Sequence, residues 1–462
     1  MQIVKRSLIA ICVAGVVVMS SCKKETSKDD GQTPPVDSTG NVSVNDKIKD
    51  TVLAYSQDIY LWFEQIPANF NPRTYSDPNK IMTAIRQYST EPGFTAPVDR
   101  WSFAVKKAEW DDISSGVAGD FGFEVFFRAE GDLRVKFVEK ESPAGKAGVR
   151  RGWRITKLNG SSNITTANSD AIVDAVYYSN NTSFEFQKPD GTSVTTSLVA
   201  ASYQQNPVFL DTVYTAGANN VGYLVFNSFL GDTTQIYNNF QRIFNKFSTA
   251  NVKDVIVDLR YNGGGYVSVQ EKLADYLVKS SASGGLMMKE VFNSKYQNFN
   301  ETINFSKLGS LNPTRIFFIV SNNTASASEL LINNLKPYVE VKLVGPTPTY
   351  GKPVGYFPIG VGDWYIFPVS FRSTNKDGQG NYFNGIPLDS KSADGLDKDW
   401  GNIQEASLAN VLNYITSGNF VPLSTTASSD RTATNTDVTN KNKIFSERAF
   451  KGAVIAERKI KL

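Results

Sequence analysis

Two side chains in this sequence have the type and setting for nucleophilic chemistry. One is Ser326, within Thr324-Ala325-Ser326-Ala327-Ser328-Glu329; the other is Lys352, within Tyr350-Gly351-Lys352-Pro353. A serine hydroxyl is a poor nucleophile until a neighbouring base takes its proton, and histidine is the usual base. The chain has no histidine, so a Ser-His-Asp triad is impossible and the commonest zinc and haem ligand is missing as well. A lysine kept neutral by burial can replace the imidazole, because desolvation disfavours the ammonium form. If the chain is an enzyme, Ser/Lys hydrolysis is the leading class.

Each residue also has a plainer reading. Ser326 followed three residues later by Glu329 fits a capping box, serine at the N-cap of a helix. A lone lysine is normally a solvated surface group. The helix start nevertheless suits a nucleophile: its N–H groups and dipole favour negative charge, so the Ala327 amide could help hold an oxyanion. Upstream, Val255-Ile256-Val257-Asp258-Leu259 runs into Arg260-Tyr261-Asn262-Gly263-Gly264-Gly265. Three glycines after a buried strand allow close backbone approach to a ligand, and bare N–H groups there can stabilise an anion. The absence of a following Gly-Lys-Ser/Thr argues against a phosphate loop; a simple tight turn remains open.

The elements that must position these residues are legible in the hydrophobic pattern. Val221–Phe226, Val255–Leu259, Ile316–Val320 and Val339–Val344 read as short buried strands, and Ser268–Lys279 and Ser328–Leu335 as helices, the first opened by a Ser268/Glu271 capping pair. Residues 204–418 are therefore expected to form an α/β domain. Between 113 and 203 the pattern turns to alternating strands, Phe121–Val125 and Leu133–Val138, with a hairpin turn at Lys188-Pro189-Asp190-Gly191-Thr192. Between 44 and 112, Ile48, Val52, Tyr55, Ile59 and Trp62 form one helical stripe ended by Pro67, and Lys80–Tyr88 reads as a second helix.

The N-terminus reads as an export signal over residues 1–21. Lys5 and Arg6 precede an apolar run from Leu8 to Met19 that is short for a bilayer span. Val18-Met19-Ser20-Ser21-Cys22 resembles a bacterial lipobox, which implies lipidation of Cys22; a plain secretory signal is the alternative. The only other cysteine, Cys12, lies in the removed segment, so no internal disulfide is expected. Polar residues 22–43 are expected to be a flexible tether, with Asp29-Asp30 a hint of outer-membrane sorting. The formal charge of +3 falls to +1 without the first 21 residues, which gives no reason to expect nucleic acid. Residues 419–462 are expected to be a disordered linker and tail.

Two resemblances join these parts. Ser142-Pro143-Ala144-Gly145-Lys146-Ala147-Gly148-Val149 through Leu158-Asn159-Gly160 resembles the PDZ pattern of bacterial proteases. That implies capture of a peptide C-terminus by strand addition, at a loop formed by Phe121, Gly122 and Phe123, with Asp120 where the family has glycine. The order of helical segment, PDZ insertion, Asp258-Leu259-Arg260-x-Asn262-x-Gly264-Gly265, Thr324–Glu329, Gly351-Lys352, Asn384-Gly385-Ile386-Pro387 and Asp399-Trp400-Gly401 resembles the C-terminal processing (tail-specific) serine peptidases. This second resemblance, over residues 45–418, implies a ClpP/crotonase-like ββα core carrying an inserted PDZ-like β domain and an N-terminal helical segment. It further implies Ser326 as nucleophile, Lys352 as general base, and the Gly264 and Ala327 amides as oxyanion donors. No cofactor and no metal are expected.

The sequence departs from that family at Tyr356, where many members carry a glutamine that orients the lysine. The expected function is an exported, lipid-anchored endopeptidase of the cell envelope acting on proteins with apolar C-termini. A catalytically silent PDZ-type binder and a hydrophobic-ligand binder on the same core are the alternatives. Ile460 and Leu462 alternate at the chain end, so the tail is also expected to be able to occupy its own PDZ groove in cis.

Overall fold

The structure is a computed structural model that describes residues 43–394, 396–421, 440–442, 445 and 450–456. The export signal, Cys22, the tether and the last six residues lie outside the described residues.

A six-stranded sheet organises the α/β region, in the order Ser390–Lys391, Glu340–Gly345, Arg315–Ile319, Val252–Asp258, Asn219–Phe226 and Val208–Ala216. All neighbours are parallel except the last pair. Parallel strands are covered on both faces and so read as unbroken apolar runs. Their period of two sorts the side chains. Leu224, Val257 and Phe318 face a core shared with helices Thr233–Thr249, Val267–Leu277 and Ala327–Leu335, while Tyr223, Ile256 and Phe317 face helix Ala406–Ser417. The expected Ser268/Glu271 capping pair does not form. The helix starts at Val267 behind Tyr266, which makes no side-chain cap, so Ser268 already lies inside the first turn.

The alternating stretch folds into an antiparallel five-stranded sheet, Phe123–Ala129, Asp132–Val138, Arg154–Leu158, Asn181–Gln187 and Ser193–Val199. Ser142 caps the short helix Pro143–Lys146 by accepting from Gly145 N at 3.1 Å. Val117–Ala118 pairs with Tyr203–Gln204 and closes the base of this inserted unit.

The N-terminal helices Val44–Ile59 and Pro78–Ile85 do not stand apart. Strand Phe103–Lys106 pairs with Trp364–Phe367, and Val52, Ile59, Trp101 and Trp110 share one core with Val354, Tyr356 and Phe371. This segment thereby becomes a wall of the region around Lys352.

A Ser326–Lys352 site around one carboxylate

The strand Val252–Asp258 delivers the glycine turn, and Asn262 fixes its shape. Asn262 Nδ2 donates to Phe226 O at 2.9 Å, and Asn262 Oδ1 accepts from Gly264 N at 2.9 Å. Asn262 O accepts from Ala325 N and from Ser328 Oγ, both at 3.1 Å, which ties the turn to the serine segment. Gly264 has φ +103°, and a Cβ there would lie 2.9 Å from Ala325 O and 3.0 Å from Ala327 N. Only glycine fits so close an approach. The expected oxyanion donor Gly264 is thus corrected in one respect: its amide is engaged within its own turn by Asn262. Ala327 N–H, in the first residue of its helix, has no intrahelical acceptor and faces this turn.

Ser326 sits between strand Arg315–Ile319 and helix Ala327–Leu335 with φ 60° and ψ −109°. A serine at positive φ is uncommon, and such conformations cost on the order of 1–3 kcal/mol. Ser326 and Glu329 have the capping-box arrangement: Ser326 N donates to Glu329 Oε2 at 2.7 Å, while Ser326 Oγ is buried and finds no hydrogen-bond partner of normal geometry among the described residues.

Glu329 is the residue the sequence undervalued. Its buried carboxylate accepts from Ser326 N, Thr349 Oγ1 at 2.6 Å, Gly351 N at 2.7 Å and Lys352 N at 2.8 Å. Burial raises its pKa, and those four donors oppose the shift. The capping-box spacing was the only sequence signal for it.

Lys352 is fully buried. Burial drives its pKa well below the usual lysine range, against the attraction of Asp99 and then Glu329, while Arg86 adds to the lowering. Its Nζ lies 3.6 Å from the centre of the Tyr356 ring and 5.8 Å from that of Trp101. Those ring faces favour the ammonium form, but complete removal from water outweighs them. Tyr356 therefore holds the lysine by its ring face. Nζ donates not to Ser326 but to Lys451 O at 3.1 Å, which also accepts from Tyr356 OH at 3.0 Å.

Phe121, Gly122 and Phe123 do not form an open carboxylate nest. Both phenylalanines are buried edge-on against Phe184. Gly122 N donates to Asp120 Oδ1 at 2.8 Å, an oxygen that also accepts from Tyr203 OH at 2.7 Å. The aspartate supplies internally the negative charge that a peptide terminus would bring. The inserted unit is instead bound to the core through Arg151, which donates to Asp394 at 2.6 Å; Asp394 accepts from Arg260 at 3.0 Å, and Arg260 reaches Glu405 at 2.8 Å.

Residues 220–391 match peptidase family S41, and residues 47–103 match the peptidase S41 N-terminal domain. The chain carries both domains of peptidase family S41. Ser326, Lys352 and the glycine turn all fall within the first of these S41 regions. Curated relatives are described as "Probable CtpA-like serine protease". The one from Staphylococcus aureus is 26% identical over 264 residues, 55% of this chain and 49% of its own. The one from Staphylococcus epidermidis is 25% identical over 263 residues, with the same coverage. The chain thus spans about half the length of the curated relatives it matches. A solved structure from Bacteroides fragilis, described as an S41 protease, superposes with a TM-score of 0.64 at 21% identity, covering 79% of this chain and 96% of the other. The S41 fold of the chain rests on that likeness.

Proposed function

We propose that the chain is a serine endopeptidase in which Ser326 is the nucleophile and Lys352 the general base. One observation carries the reading: a fully buried lysine and a strained, unbonded serine are tied through their backbone amides to the same carboxylate oxygen. A helix cap or a surface lysine explains neither feature.

In the first step Ser326 Oγ attacks the substrate carbonyl carbon and its proton passes to Lys352 Nζ. The tetrahedral oxyanion is met by the Ala327 amide at the helix start. The C–N bond breaks, the leaving amine takes the proton from Lys352, and an acyl-serine remains. Water, deprotonated by the neutral lysine, then releases the acid and restores Ser326.

On the same reading, the signal-like N-terminus exports the protein and Cys22 anchors it to a cell-envelope membrane. The inserted β unit handles protein substrates as extended segments, and its edge strand is the natural receiving surface. Preference for apolar C-termini belongs to the same proposal.

A fluorophosphonate probe tests the peptidase directly. Labelling that disappears in Ser326→Ala and is strongly reduced in Lys352→Ala is expected. A wild-type protein that takes no label under any condition would instead favour a silent binder, a reading to which the Lys352–Lys451 hydrogen bond lends some support.

A further inference from the structure

The Ser326–Lys352 cleft holds a strand of the chain itself. Gly452–Val454 pairs in parallel with Gly264–Tyr266, in the register Gly264 to Gly452, Gly265 to Ala453 and Tyr266 to Val454. Gly452 N donates to Gly263 O at 2.9 Å. On its other side Tyr356 N donates to Ala453 O and Ile455 N to Tyr356 O, both at 3.1 Å. The segment is therefore hydrogen-bonded to backbone on both sides, as an added strand is.

Two of its carbonyls lie close to the candidate catalytic groups. Lys451 O accepts from Lys352 Nζ and Tyr356 OH. Gly452 O lies 2.4 Å from the point where a Gly264 Cβ would stand, the same point that is 3.0 Å from Ala327 N. Gly452 has no room for a side chain, since a Cβ would fall 2.3 Å from Tyr356 Oη and 2.2 Å from the Phe450 ring. Phe450 enters an aromatic recess, 5.6 Å from Trp110 and 6.2 Å from Phe103 between ring centres. Ala453 and Val454 are buried.

A second contact precedes the first in the chain. Strand Phe123–Ala129 is the edge of the inserted sheet. Asn442 Oδ1 accepts from Phe127 N at 2.8 Å and Asn442 Nδ2 donates to Phe127 O at 2.7 Å, satisfying both outward groups of that residue. Phe445 is buried against Phe127 and Tyr177, at 5.9 Å and 6.3 Å between ring centres. An exposed strand edge invites such pairing.

We propose that residues 450–456 are a substrate-like strap that fills the catalytic cleft, with Asn442 and Phe445 anchoring the chain on the inserted sheet. The cleft accordingly recognises an extended peptide with an aromatic residue two positions before a glycine, followed by a small and then a branched apolar residue. The inserted sheet reads a segment about ten residues N-terminal to that glycine, not a free carboxylate. This inference rests on the peptidase reading for its word "substrate" but not for the binding it describes.

The test uses the full chain in a Ser326→Ala background and a fluorescent heptapeptide copying residues 450–456, with binding read by anisotropy. A strap tethered in cis competes at an effective concentration in the millimolar range. Asn442→Ala, which loosens the anchor, and Val454→Asp, which expels the strand from an apolar site, should each tighten probe binding by about tenfold or more. The same peptide with alanine in place of its phenylalanine should bind weakly to both variants. Equal probe affinity for the parent and both variants would overturn the strap, and so would indifference to the phenylalanine. With Ser326 restored, the two variants should cleave the probe faster than the wild type. If binding tightens but no variant cleaves any peptide or takes a fluorophosphonate, the strap stands and the peptidase reading falls.

Discussion

Glu329 Oε2 accepts a hydrogen bond from the Lys352 amide at 2.8 Å and another from the Ser326 amide at 2.7 Å. One oxygen thus fixes the backbones that carry both candidate catalytic side chains. Its partner oxygen binds Thr349 Oγ1 and Gly351 N. Glu329→Gln keeps the shape but turns an N–H₂ group towards donors that need an acceptor. A loss of about 1–3 kcal/mol in denaturant stability is expected, with a fall in kcat larger than the rise in KM. An unchanged kcat in a folded variant would show that the carboxylate only caps the helix.

The lowered pKa of Lys352 sets the pH profile. The base must be neutral, so peptidase activity should rise with pH through its depressed folded value. Stability follows in the same direction. Below the folded pKa the lysine is protonated in both states and the burial cost is fully present. Between that value and the unfolded one, about 10.4, the unfolded chain binds more protons and stability climbs with pH. Lys352→Met should flatten that climb in a series of melts. Lys352→Arg should be as inactive as Lys352→Ala, because arginine stays protonated.

Tyr356 supports the lysine through its ring and contacts Lys451 O through its hydroxyl. Tyr356→Phe keeps the ring and should leave the rate of Ser326 labelling within about threefold, while Tyr356→Ala, which removes the ring packed on Lys352 Nζ and lets water reach the amine, should slow it by roughly tenfold or more. Equal rates in the two variants would leave the ring without a role.

Asp394 links Arg151 of the inserted unit to Arg260 of the core, and those two guanidinium groups hold its pKa below the usual carboxylate range against burial. Removing one partner of a buried ion pair costs about 3–5 kcal/mol; Asp394→Asn should fall at the lower end, since the Asp394 side chain keeps 20% exposure. The native stabilisation is present above the unfolded carboxylate value and is lost as pH falls through the folded one. The melting-temperature gap between wild type and variant should therefore narrow in acid. A gap independent of pH would point to packing.

Cys22→Ala tests the proposed anchor. The variant should leave the membrane fraction while its Ser326 labelling is unaffected, since stable attachment by acyl chains needs more than one of them. Unchanged fractionation would require another tether.

Sequence alone pointed to the proposed reaction class and set out the order of the parts. The absence of histidine, a serine before a helix and a lysine after the next strand are local facts of residue type. The elements read from apolar periodicity shifted by only a few residues, as Ser328–Leu335 became Ala327–Leu335, while helices Thr233–Thr249 and Ala406–Ser417 were not read from it. What sequence could not show is whatever depends on partners far apart in the chain. The Ser268/Glu271 pair has the spacing of a cap but lies inside a helix whose start was set by the glycine turn before it. Glu329 reads as a cap because its bond to Ser326 spans three residues, whereas its bonds to Thr349, Gly351 and Lys352 span 20 or more. Lys352 meets Lys451 across 99 residues, and Phe127 meets Asn442 across 315. No periodicity encodes such contacts, because only the closed fold brings their backbones together. The sequence named the serine and the lysine; tertiary structure decided what buries the lysine, what ties its backbone to that of the serine, and which strand pairs with the glycine turn beside them.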